Sequence, residues 1–237
     1  MIEKYGNFFQ SLLRVYVMVD FEALRHAMVV GQILPCVQVS GPLRRALETL
    51  PREECVATGW RAMAYADADA PLENGRFLLS PLSLVKLLKE AAIEKQHTVL
   101  DLGAGVGYSS ALIGAVAGRV LGFETSQELV ERAQAFLSKL SLPHVSVKPM
   151  AHYGVVPEEA STCDVIVVEG CLGHVPSGLL DALKDGARLL CFLRRPQGSL
   201  PQATLFEKYD GNVSRKALFE AAASLLDAHP VPQRKAG

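Results

Sequence analysis

The sequence predicts an α/β fold: a doubly wound, mostly parallel sheet with an antiparallel edge strand, preceded by N-terminal helices. Three observations predict it. Short apolar runs at Thr98–Leu102, Arg119–Glu124, 145–147, 164–168 and Arg188–Leu193 alternate with stretches of helical period, the order of a parallel sheet covered on both faces by right-handed crossovers. A turn with three alternate glycines follows the first run. The second run ends in an acid, Glu124, 21 residues beyond the first of those glycines, Gly103.

Asp20 caps a helix to about Ile33, with Leu24, Ala27 and Met28 on one face. A second helix follows Gly41-Pro42, with Leu43, Ala46, Leu47 and Leu50 at i, i+3, i+4, i+7, and Pro51 stops it. Residues 53–74 have no helical period and read as loop with brief extended pieces. Ser80 and Pro81 form a cap and first-turn pair for a helix to about Ala92. After the glycine turn a helix runs from Tyr108 to Val116. Thr125-Ser126-Gln127-Glu128 opens the helix after Glu124 as a capping box, with Leu129, Ala133, Phe136, Leu137 and Leu140 facing inward. A helix at 176–184 lies behind the fourth strand, 164–168. Residues 203–209, the turn Asp210-Gly211-Asn212 and Val213 read as the antiparallel return, and residues 216–226 as a last helix.

A length of 237 residues suits one α/β domain with an added N-terminal segment, and 49% hydrophobic residues suffice for a large core. The formal charge of −1 and the lack of a basic stripe argue against a nucleic-acid partner. Five cysteines, odd in number and with no C-x-x-C, read as reduced thiols in a cytoplasmic protein. The apolar run 8–19 is interrupted by Gln10, Ser11 and Arg14 and is too short to span a bilayer, so no membrane association is expected. It reads as an amphipathic docking helix or as sequence ahead of a start at Met18. Six histidines form neither H-E-x-x-H nor a close pair, so no metal site is expected; His152 and His174 fall nearest the crevice. G-x-S-x-G is absent, which argues against an elbow-type serine hydrolase.

The chemistry is concentrated in the glycine turn. In D-x-G-x-G-x-G, Asp101 stands near the strand end, and Gly103, Gly105 and Gly107, with Ala104 between the first two, let the backbone curl and face a ligand without a Cβ in the way. Tyr108 stands where the dinucleotide fingerprint requires its third glycine, which argues against a pyrophosphate cofactor. Glu124 has the spacing at which an acid reaches ribose hydroxyls. These residues resemble the S-adenosylmethionine site of class I methyltransferases, with Tyr108, Thr125 and Glu169 bordering it; a plain βα turn with solvated Glu124 and Glu169 is the alternative. Cys171 lacks a basic neighbour and reads as inert, and Arg194 and Arg195 read as either an acidic-substrate site or a solvated loop.

Further stretches resemble the protein-L-isoaspartate O-methyltransferase family, in a divergent bacterial form: residues 28–33, 50–53, 64–67 and 75–81, the glycine turn, and 164–176 with its loop EGCLGHVP. The resemblance implies transfer of a methyl group from S-adenosylmethionine to the α-carboxyl of L-isoaspartyl residues in damaged proteins. The chain thus divides into an N-terminal extension (1–19), a helical, substrate-side region (20–95), a cofactor-binding α/β domain (96–228) and a tail (229–237) expected to be disordered, with the resemblance covering about residues 20 to 226. A carboxylate nucleophile is ionised at neutral pH and needs no general base, so rate comes from alignment and desolvation. The family's acceptor-side threonine and serine fall here on Phe77 and Leu79, with Ser80 one position away; the acceptor is expected against Gly75, Leu79 and Ser80. Where the family has Gly-Asp-Gly, with the acid on the adenine, this chain has Pro149-Met150-Ala151. Two other readings follow from these departures: a methyltransferase-fold enzyme for another acceptor, and a non-catalytic cofactor-binding protein.

Overall fold

The computed structural model describes residues 19–72 and 75–226. The predicted docking helix, apart from Val19, and the predicted disordered tail lie outside those residues. Seven strands form the central sheet: β3 (Thr98–Leu102), β4 (Arg119–Glu124), β5 (Val145–Pro149), β6 (Val165–Leu172), β7 (Arg188–Leu193), β8 (Gln202–Tyr209) and β9 (Asn212–Glu220), in the order β5-β4-β3-β6-β7-β8-β9. The first five of these pair in parallel, and β8 and β9 return antiparallel at the edge, as the sequence predicts. Because both faces are covered, β3 and β6 are buried through nearly their whole length, which is why they read as continuous apolar runs.

On the N-terminal side, α1 (Phe21–Ala27) is capped by Asp20, whose Oδ1 accepts from the Ala23 N–H at 2.9 Å. It widens into a π-helical stretch at Met28–Ile33, through Val29-Val30-Gly31, residues of weak α-helical propensity. Next come α2 (Gly41–Thr49) and 3₁₀ turns at Arg52–Glu54 and Thr58–Met63. A two-stranded pair, β1 (Ala70–Pro71) with β2 (Phe77–Leu78), leads into α3 (Pro81–Ala91). Met28, Ile33, Leu47, Leu84 and Leu87 share one hydrophobic cluster with Val99 and Val165 of the sheet and with Ile113 of the helix after β3. The helices α4 (Tyr108–Gly114), α5 (Gln127–Lys139) and α6 (Ser177–Asp181) follow β3, β4 and β6.

Two expectations are corrected. The helix expected at 216–226 is strand β9 to Glu220, followed by an extended segment bridged to β6 through Leu225 and Cys171. The reason is tertiary: the Asp210-Gly211 turn, with φ of 48° and 74°, feeds the chain back along β8, and the ladder from Asn212 to Ala217 overrides local helical preference. The first part of the loop expected at 169–175 is also strand, while 173–175 form a loop as expected. β6 runs on to Leu172 past a register shift between Val167 and Cys171, because the Cys171 N–H donates to Ser224 O and the Leu226 N–H to Cys171 O, both at 2.9 Å. Cys171 is therefore a buried strand residue.

Candidate functional site

The carboxyl ends of β3, β4 and β6 meet at one place, where open α/β sheets bind ligands. The glycine turn after β3 has Gly103, Gly105 and Gly107 at φ of 82°, 52° and 84°, a left-handed run that side-chain-bearing residues rarely adopt. Gly107 is also the N-cap of α4. The N–H groups of Gly103 and Ala104 donate back to Phe123 O, which fastens the turn against β4.

Glu124 closes β4 directly over this turn and has no exposed surface. Its Oε2 accepts from the Gly105 N–H at 3.0 Å, and its Oε1 from the Thr125 N–H at 2.7 Å, the Ser126 N–H at 3.2 Å and the Tyr153 hydroxyl at 2.7 Å. The Thr125 hydroxyl adds a further contact at 3.1 Å. Arg76, from the segment between β1 and β2, reaches the same carboxylate, with Nη2 at 3.1 Å and Nε at 3.3 Å from Oε2. Burial by itself would raise the Glu124 pKa; the Arg76 charge, the Tyr153 hydroxyl and the backbone donors more than offset it and hold the acid below its usual value.

Asp101 and Glu169 lie deeper, on the adjacent strands β3 and β6. Asp101 accepts from the hydroxyls of Ser109 at 2.9 Å and Ser110 at 2.6 Å, both through Oδ2, while Oδ1 has no partner among the described residues. Burial pushes its pKa up to about 6 against the pull of those two hydroxyls. Glu169 is 4% exposed and neither oxygen has a hydrogen-bond partner among the described residues. Burial and the neighbouring Asp101 push its pKa well above the ordinary carboxylate range. It is a strand residue of the interior rather than a loop residue of the crevice.

A cavity of about 380 Å³ opens beside the partners of Glu124, lined by Arg76, Thr125, His152, Tyr153, Leu172, His174 and Leu226 among others. The structure thus brings together Asp101, Gly103, Ala104, Gly105, Gly107, Glu124 and Thr125. Tyr108 lies under the turn, 1% exposed, with the buried Arg52 guanidinium 5.1 Å from its ring centre. Leu79 and Ser80 do not line the cavity. Leu79 is a core residue, 2% exposed, whose carbonyl accepts from Arg52 Nη2 at 2.7 Å, and the Ser80 hydroxyl caps α3 by accepting from the Ser83 N–H at 3.3 Å. Phe77 is 37% exposed. Arg195 pairs with Glu220 across the sheet edge. Among the described residues no group of three His, Cys, Asp or Glu side chains has metal-binding geometry, and no helix is long and apolar enough to cross a membrane.

Sequence reasoning missed four residues of this site: Leu72, Arg76, Tyr153 and Leu226. Arg76 carried a signal, a lone cation between Gly75 and the apolar Phe77–Leu79. The other three carry none, because their place depends on how β1, the segment after β5 and the chain beyond β9 fold over the turn.

Comparison with known proteins bears on what this geometry serves. The family model for protein-L-isoaspartate(D-aspartate) O-methyltransferase matches residues 26–222. A protein-L-isoaspartate O-methyltransferase of Azorhizobium caulinodans is 33% identical over 189 residues, 79% of this chain and 82% of the relative. One of Koribacter versatilis is 31% identical over 173 residues, 73% of this chain and 77% of the relative. Among solved structures, a protein described as a putative protein-L-isoaspartate O-methyltransferase from Plasmodium falciparum, in complex with S-adenosyl-L-homocysteine, superposes with a TM-score of 0.68 at 16% identity. The match covers 88% of this chain and 99% of that one, a likeness of fold. The match runs from α1 through β9 and takes in the glycine turn and Glu124, so the chain belongs to the protein-L-isoaspartate(D-aspartate) O-methyltransferase family.

Proposed function

We propose that this protein is an S-adenosylmethionine-dependent methyltransferase that esterifies the α-carboxyl of L-isoaspartyl residues in damaged proteins, in the cytoplasm. One observation carries the reading: a glycine turn with three left-handed residues donates to a strand-end carboxylate, Glu124, whose hydrogen-bond partners Arg76, Thr125 and Tyr153 line an apolar cavity. The donor set fits the cofactor. Glu124 presents an ionised acceptor of the kind that takes ribose hydroxyls, and the glycines remove the Cβ atoms that would stand against the amino-acid end. Tyr153 and the apolar side chain of Leu172 suit a flat base.

The cofactor, when bound, supplies a methyl group on a sulfonium: a carboxylate oxygen forms the new C–O bond as the C–S bond breaks, leaving a neutral thioether. The residues of this chain contribute placement and exclusion of water. Gly103 to Gly107 and Glu124 fix the donor, and the buried surroundings strip the acceptor carboxylate of its hydration shell. Residues 20–95 form the acceptor side in this reading, with the neighbourhood of Gly75 and Phe77 in place of the family's hydroxyls.

Incubation with methyl-labelled S-adenosylmethionine and an isoaspartyl peptide, beside the same peptide with ordinary aspartate, tests this. A base-labile methyl ester on the isoaspartyl peptide alone is the expected result. Label on neither peptide, with the cofactor bound, would return the assignment to a different acceptor.

A further inference from the structure

The carboxylate proposed to hold the cofactor ribose is saturated by the protein's own donors. Glu124 Oε2 accepts from Arg76 Nη2, Arg76 Nε and the Gly105 N–H, and Oε1 from Thr125, Ser126 and Tyr153. A carboxylate offers about four lone-pair directions, so a ribose hydroxyl can enter only by displacing a donor already there. Arg76 also crosses the turn: its Nη2 donates to Gly103 O at 3.0 Å, and its guanidinium stands 5.3 Å from the Tyr153 ring centre. Apolar side chains complete the cover. A Cβ built on Gly103 would lie 2.7 Å from Leu226 Cδ1, and one on Gly105 would lie 3.0 Å from Leu72 Cδ1. The space that glycine keeps clear at both positions is taken up by this chain.

We infer that Arg76, backed by Leu226 and Leu72, is an internal occupant of the cofactor seat, so that cofactor binding competes with the Arg76–Glu124 ion pair. This rests on the reading of the site as a methyl-donor site. The chemistry of the two occupants is alike: each brings hydrogen-bond donors to Glu124 and a positive charge near the turn, the guanidinium in one case and the sulfonium in the other. Arg76 follows Gly75, whose φ of 72° is a left-handed conformation open to glycine, and Leu226 is tied in by its N–H bond to Cys171 O. The seat is open only in the fraction of molecules in which Arg76 has left Glu124, and apparent affinity falls by that fraction.

Calorimetric titration of S-adenosylhomocysteine into the full chain, into Arg76→Ala and Arg76→Gln, and into Leu226→Ala tests the inference without any turnover. Thermal unfolding of each variant confirms that a folded protein is being titrated, and Leu226→Ala covers the case in which the Arg76 variants do not fold. Both kinds of variant are expected to bind at least tenfold more tightly than the unaltered chain. Equal affinity in all of them overturns the occlusion while leaving the methyltransferase reading intact. Weaker binding in the Arg76 variants overturns it as well, since Arg76 would then help hold the cofactor. No binding in any of them removes the donor-site reading together with the occlusion.

Discussion

Two glutamates stand on strands of the same sheet, Glu124 at the end of β4 and Glu169 within β6, and both are buried from water. Glu124 meets an arginine, two tyrosine and threonine hydroxyls and three backbone amides, and its pKa is lowered despite its burial. Glu169 meets no donor among the described residues and lies near a second acid, and its pKa is raised. Burial is nearly the same for the two; the supply of donors decides the direction in which each pKa moves. In this sheet the buried acid whose pKa is lowered is the one toward which the neighbouring turn and Arg76 direct their N–H groups, as Gly105 does for Glu124.

The largest test of this contrast is Glu124→Gln. It leaves the Arg76 guanidinium buried and without its counter-charge, a loss on the order of 3–5 kcal/mol. Urea unfolding at pH 7 should show it. The wild-type advantage should be present above the unfolded-state pKa of about 4.3 and be lost as pH falls through the depressed native value. Glu169→Met should act in the opposite direction. It removes an acid with no partner, and a gain of about 1–3 kcal/mol in the same measurement is expected; a loss would mean that Glu169 has a stabilising contact in solution.

Tyr153→Phe removes one hydrogen bond to the charged Glu124 and leaves the ring under Arg76, so a smaller loss of about 1.5 kcal/mol is expected by thermal or urea unfolding. Asp101→Asn gives the smallest change at a single pH and is read from its slope. The native pKa of about 6 lies above the unfolded value, so between about pH 4 and pH 6 the native state holds more protons than the unfolded one. Wild-type stability relative to the Asn variant should fall as pH rises through that window and level off above it. A rise over the same window would place Asp101 with Glu124, as a charge the fold stabilises.

The five parallel strands, the glycine turn and the Glu124 spacing were legible in the sequence because each is a local pattern with a local cause. An apolar run of five residues ended by glycines has few other uses, and φ above zero selects glycine wherever it occurs. Ser80 as the cap of α3 was legible for the same reason.

What the sequence could not supply was anything set by chain segments far apart. The segment at 216–226 carries spacing compatible with a helix, and only the ladder to β8 and the bridge at Cys171 make it extended. Glu169 reads like any acid after a buried strand, and its raised pKa follows from burial, from Asp101 on the neighbouring strand and from the lack of donors. Arg76, 48 residues from Glu124 along the chain, becomes its counter-ion through the β1–β2 turn. Local sequence determined the fold class and the shape of the seat, because backbone conformation is a short-range property. The tertiary structure decided which groups lie in that seat and the direction in which each acid's pKa moves, because electrostatic environment depends on what is near in space.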